Sequence, residues 1–351
     1  MDGFSLLMRS PSGVVETELA EDVRNSSIER IGGGAGQHSY RVLVHGLEFF
    51  CERLPAAFET DGWEIRHNSV HSLSSLFALL RDVRRADLLF TWGARISFGK
   101  FLHAARLLNK EKVVLFWSGS DVIGARMQFA EGIFEPWIAD KIHWAGAPWL
   151  AEEIRGIGLK CEYVPITWVP AVQRPHPLPE KFSVLVYLPA ARQSQLYGLG
   201  RILEVSRSLP HIPFELVGLV EGQVPDPPAN LRICGRIQDM SEVYRRTSVY
   251  WRPVSHDGLS FMSLEALSYG RHVLWSYPFP HCRQSSNVDT DRAEILRLHA
   301  LHESKILHLN EPGIAMVSER FSLTSIKRDY LERWRGIILS SAESNGKFRR
   351  K

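Results

Sequence analysis

The 351-residue sequence has little that would staple it covalently: its four cysteines, Cys51, Cys161, Cys234 and Cys282, lie far apart and form no C-x-x-C pair. That spacing signals neither a disulfide framework nor a zinc knuckle, and a reducing, cytoplasmic setting is the expectation. Long hydrophobic runs are missing too, with none reaching the roughly 18 residues of a membrane span. The opening Met1-Asp2-Gly3, whose short apolar run ends at Arg9, lacks the basic start and long apolar stretch of a secretory signal. Nor is there an excess of one charge. Lys and Arg total 42 against 39 Asp and Glu, a formal balance of +3, too slight to argue for wrapping nucleic acid. What is present is a globular composition, 44% apolar and 23% charged, with ten tryptophans. At roughly 150 residues per domain, the length fits about two domains.

A proline-rich stretch divides the chain. Pro165, Pro170, Pro175, Pro177 and Pro179 break helices and interrupt interior strands, so a linker is expected over 169–181. Before it, Leu88-Leu89-Phe90 and Val113 to Phe116 are buried-strand runs around a helical stretch, Phe98 to Asn109. After it, Phe182 to Leu188, Phe214 to Leu219 and Leu231 to Cys234 are strands, with a helix over Leu199 to Leu209. The expected fold is α/β: two Rossmann-like domains, 1–168 and 182–320, facing across a cleft where parallel sheets bind ligands beyond their strand ends. Leu323, Ile326, Tyr330, Trp334 and Ile337 at helical spacing predict a packed terminal helix over 321–340, capped by Ser322 or Thr324. The basic tail over 341–351 reads as solvated, with contact to anionic lipid as its other use. Leu73 to Leu89, mixing Leu and Phe with Arg81, Arg84 and Arg85, reads as an amphipathic surface helix, with an interfacial helix as the alternative.

The stretch from Tyr244 to Pro280 carries the chemistry. Asp257 and Glu265 stand eight residues apart, Gly258 follows the first acid in a loop, and a helix begins by Ser263. Amides near that helix's amino end favour an anion. Glu265 is placed to accept hydrogen bonds from a ribose's vicinal hydroxyls, and Asp257 from a second sugar.

These residues resemble the acid-x7-acid signature of the family 4 glycosyltransferases, of GT-B fold, with Asp257 where Glu is usual. Asn230 to Ile237, followed by Met240 and Tyr244, looks like the family's strand, glycine turn and base-binding loop, and Gly270 to Leu274 like the strand after the signature helix. Gly32 to Gly36 resembles its amino-terminal glycine loop, and Trp144 to Pro165 its last amino-domain unit. Arg320-Phe321-Ser322 is similar to the start of the terminal helix that crosses back to the amino domain in that fold. Two positions depart from the pattern: Tyr197 stands where a diphosphate-clamping lysine is common, with Arg192 kept, and Ser118 stands where His-Gly-x-Asp has its histidine.

The resemblance implies a retaining, metal-independent, hexosyltransferase-like enzyme of glycan or polysaccharide biosynthesis. Asp257, Glu265 and Arg192 would be its catalytic residues. Gly33, Gly34, Arg236, Ile237, Gly258, Leu259, Ser260 and Phe261 would bind the donor, and Ser120 and Asp121 would lie on the acceptor side. A nucleotide-sugar donor and a sugar or lipid-linked glycan acceptor are the expected partners, with peripheral contact at the inner membrane face and no nucleic acid. No cofactor is implied. A non-catalytic GT-B protein binding a nucleotide sugar or a partner enzyme is the alternative, favoured by the residues at 197 and 118. Trp92, Trp117, Trp144 and Trp149 read equally as stacking surfaces or core. The D-x-D at Asp289 to Asp291 reads as accidental. His67 and His71 lack the glutamate and third ligand of a zinc site.

Overall fold

The computed structural model describes residues 39–68, 73–97, 99–170, 172 and 176–340. The glycine loop at 32–36, His71 and the tail over 341–351 lie outside the described residues. By compactness the chain divides into two units: the described parts of Met1–Trp92, Phe98–Val114 and Trp334–Lys351, and those of Gly93–Ser97 with Leu115–Arg333.

Among the described residues twelve strands form two parallel sheets. The first holds β1 (Tyr40–Gly46), β2 (Trp63–His67), β3 (Leu88–Trp92), β4 (Val113–Trp117), β5 (Ile142–Ala145) and β6 (Cys161–Tyr163) in the order β2-β1-β3-β4-β5-β6. The second holds β7 (Val184–Tyr187), β8 (Phe214–Val217), β9 (Leu231–Gly235), β10 (Val249–Arg252), β11 (His272–Trp275) and β12 (Cys282–Gln284) in the order β12-β11-β10-β7-β8-β9. Crossover helices leave both faces of such sheets covered, so the strands are continuous apolar runs. Every residue of β3, β4, β8 and β10 is buried accordingly. Phe182, Val184, Val186, Phe214, Leu216 and Trp251 form the middle of one core with Ile202, Val205, Ile295 and Leu298 from the covering helices.

Trp92, Trp117, Trp144 and Trp149 are all buried, which makes them core. The terminal helix runs Leu323–Leu339, and Ser322 is the residue that caps it, its Oγ accepting from the Ser325 N–H at 3.2 Å. Within the larger unit its Tyr330 hydroxyl donates to the Val164 carbonyl at 3.1 Å and its ring meets Trp144 edge-on at 5.6 Å. In the other unit Trp334 packs beside Phe58 and Phe90, at 5.8 and 5.6 Å between ring centroids.

In the second sheet the strand order reverses between β7 and β10. Ligands of open parallel sheets bind beyond the carboxyl ends of the strands at such a reversal. The loops leaving β7 and β10 are therefore the ones that matter.

Candidate active site

β10 reads Val-Tyr-Trp-Arg and ends at Arg252. The chain then turns through Pro253 to Ser260 into the helix Phe261–Ser268, whose start is fixed by Ser260: its hydroxyl accepts from the Ser263 N–H at 3.1 Å. Gly258 in that turn is required by close approach, because a Cβ there would meet the Ser118 carbonyl oxygen at 2.0 Å. Ser118 belongs to the loop leaving β4, so two strand-end loops touch at Gly258. Nearby, the Trp149 indole donates to the Asp257 carbonyl at 2.7 Å. His256 lies 3.2 Å from Glu153, which also pairs with Arg126 at 2.8 Å. Burial alone would raise the Glu153 carboxyl, but these two partners hold it below its ordinary value.

The two acids have different surroundings. Asp257 is buried, and Arg252 grips it with a two-point fork, Nε to Oδ2 at 2.5 Å and Nη2 to Oδ1 at 2.8 Å. The Trp275 indole adds a third hydrogen bond to Oδ2 at 3.2 Å. Glu265, half-buried on the helix, accepts from the Tyr244 hydroxyl at 2.7 Å to Oε2. Burial raises its carboxyl above the usual range, and the hydrogen bond from Tyr244 recovers part of that cost.

Tyr187 at the end of β7 reports where the charges gather. Burial raises its phenol, and Tyr197, Arg252, Arg236 and Glu265 all act on it electrostatically. The structure thus brings Glu265, Arg236, Tyr197 and, through its fork with Arg252, Asp257 around the carboxyl end of β7, beside the β7–β10 reversal. Arg236 is exposed and Ile237 half-buried, just after Gly235, whose φ of +66° sets the turn there. Arg192 has its backbone in the short helical turn Ala191–Gln193 on the loop after β7. Leu259 is buried and Phe261 half-buried at the start of the signature helix.

Asp121 spends its carboxylate locally. It accepts from the backbone N–H groups of Ser118, Gly119 and Val122 at 2.9, 2.6 and 3.1 Å, tying the loop after β4 to the helix Ser120–Ala130. Ser120 beside it is exposed. The two acids of the D-x-D part company: Asp291 is buried and pairs with Arg201 at 2.5 Å, whereas Asp289 is exposed and pairs with Arg292. Among the described residues no group of three or more His, Cys, Asp and Glu side chains converges as a metal site.

Sequence reasoning missed Arg252, Tyr187, Tyr250 and Trp275. A signal existed for the first: an arginine closing an otherwise apolar strand has to find a partner for its charge.

No protein-family model matches the chain, and no curated protein sequence does. Solved structures match over most of its length. A glycosyltransferase from Rickettsia africae aligns with a TM-score of 0.60 at 11% identity, over 86% of this chain and 99% of its own. Sucrose-phosphate synthase from Thermosynechococcus elongatus aligns at 0.62 and 12%, over 86% of this chain and 100% of its own. The Anabaena protein HepE, solved with UDP and glucose, aligns at 0.57 and 11%, over 84% and 99%. The fold is that of the GT-B glycosyltransferases. At these identities the likeness concerns the fold. No helix among the described residues is long and apolar enough to cross a membrane.

Proposed function

We propose that this chain is a glycosyltransferase that moves a sugar from a nucleotide diphosphate donor to an acceptor hydroxyl, with retention of the anomeric configuration and without a metal, in glycan or polysaccharide synthesis. The observation that carries the reading is Glu265: a half-buried carboxylate one turn into a helix, beyond the β7–β10 reversal, held by Tyr244 and acting on Tyr187, on which Arg236 acts as well. That HepE holds UDP and glucose on this fold supports the same use of the edge here.

The reaction requires charge on the departing diphosphate to be neutralised and two substrates to be held in register, so positioning and electrostatics outweigh any nucleophile. The amino end of the helix Phe261–Ser268 favours negative charge, and Arg192 and Arg236 add positive charge from the loops after β7 and β9. Tyr244 engages one oxygen of Glu265 and leaves the other to accept from the ribose hydroxyls. Ile237 flanks the base, and Asp257 borders the place of the transferred sugar. The exposed Ser120 serves the acceptor side, while Asp121 fixes the loop that carries it. The acceptor is a sugar or a lipid-linked glycan.

Calorimetry with uridine and guanosine diphosphates, alone and with their common sugars attached, tests the donor site. Micromolar binding by one nucleotide is expected, weakened about tenfold or more in Glu265→Gln, because a charge-assisted hydrogen bond is lost. Binding should weaken as the pH falls, starting above the ordinary glutamate range, since burial makes Glu265 take up its proton early. Failure of every nucleotide to bind at millimolar concentration overturns the donor assignment. Acceptor-dependent release of nucleotide diphosphate then separates transfer from simple binding.

A further inference from the structure

The guanidinium of Arg252 does more than neutralise Asp257. Its Nη1 donates to the Tyr250 hydroxyl at 3.1 Å, and its centre lies 5.2 Å from the centroid of the Tyr197 ring, on the loop after β7. That loop is stitched to the loop after β10 at two further points. The Ser255 N–H donates to the Leu196 carbonyl at 2.9 Å. Gly198, at φ +76°, lies so close that a Cβ would meet the Pro253 carbonyl oxygen at 2.1 Å. Arg252 therefore sits where the two walls of the proposed donor site are joined, with a ring of one wall on its face and a carboxylate of the other in its fork.

We propose that Arg252 is a positioning residue that clips these two loops together, with the uncharged side chain of Tyr197 as the partner its charge admits from the first loop. The argument is one of charge and space. From the first loop Arg252 meets the uncharged side chain of Tyr197, whose ring faces a guanidinium without repelling it and whose hydroxyl also bonds it. A lysine at 197 would bring a second positive charge within a few ångströms of a buried one. The fork also needs a planar guanidinium, since an ammonium cannot hold both oxygens of Asp257 in one geometry. In consequence Asp257, with both oxygens engaged, serves the loop that presents Gly258 to Phe261 instead of reaching for a sugar.

This inference rests on the donor-site reading, and one experiment separates their failures. Uridine and guanosine diphosphates and the bare nucleosides are titrated into wild type, Arg252→Lys, Tyr197→Lys and Tyr197→Phe, each checked for folding by circular dichroism. If wild type binds neither diphosphate, the donor reading falls and takes this one with it. If wild type binds, Arg252→Lys should weaken the diphosphate about tenfold or more while nucleoside binding changes less than about twofold. A merely structural role would lower both in step. Tyr197→Lys should also weaken the diphosphate about tenfold, and Tyr197→Phe, which keeps the ring and gives up only a hydroxyl, should weaken it less than Tyr197→Lys does. Tighter diphosphate binding by Tyr197→Lys, or wild-type binding by Arg252→Lys, overturns the proposal. Should Arg252→Lys fail to fold, the two Tyr197 variants decide alone.

Discussion

Two loops of the larger unit begin alike and end differently. Each leaves the carboxyl end of a parallel strand, β4 or β10, and carries Ser, Gly and Asp into a helix. In the first, Asp121 lies inside the helix's opening turn and folds back onto three backbone N–H groups. In the second, Asp257 lies three residues before the capping Ser260 and reaches a guanidinium instead. The first acid secures backbone and asks nothing of the rest of the chain. The second makes the geometry of its loop depend on a strand end, Arg252, and a neighbouring strand's Trp275. A loop that depends on distant side chains can be tuned by them, and a self-capped loop cannot.

Removing the dependence should be the most costly change. Arg252→Leu leaves Asp257 buried without its partner, and unfolding by urea should show a loss of about 3–5 kcal/mol. The double variant Arg252→Leu/Asp257→Leu should recover most of it, because a buried pair contributes less than its breakage costs. Next comes the contact between the two loops. Gly258→Ala drives a Cβ against the Ser118 carbonyl, and should cost about 1–3 kcal/mol while weakening diphosphate binding, since one loop must give way. The smallest effect is expected at the cap, where Ser260→Ala should cost about 1 kcal/mol. If Ser260→Ala proved as damaging as Arg252→Leu, the second loop would be as locally determined as the first, and the contrast would fail.

Much of this was legible in the sequence. Runs such as Val113 to Phe116 and Phe214 to Leu219 announced buried parallel strands, and β4 and β8 lie there. The spacing of Asp257, Gly258 and Glu265 marked a loop entering a helix, and the helix Phe261–Ser268 begins where Ser260 can cap it. The strands β1 and β2 went unread, and so did β10, because Tyr250-Trp251-Arg252 does not look like an apolar run when its arginine is taken as exposed. That arginine is buried. Its burial is tolerable only because Asp257, five residues on, folds back onto it. All four tryptophans expected as either stacking surfaces or core proved buried, and Trp149 spends its N–H on the backbone of Asp257.

The sequence by itself determined those strands and helices whose pattern is local, β4, β8 and the helix Phe261–Ser268 among them, and which residue types stand near the ends of β7 and β9, because hydrophobic period and capping are properties written in neighbouring residues. Only the tertiary structure decided which partner each charged group takes. Asp121 turned inward to its own backbone, Asp257 to Arg252, and Glu265 to Tyr244, twenty-one residues earlier in the chain. The reason is physical: a charge brought out of water must be paired by whatever the packing places within about 3 Å, and the packing follows from strand order, which no local pattern contains.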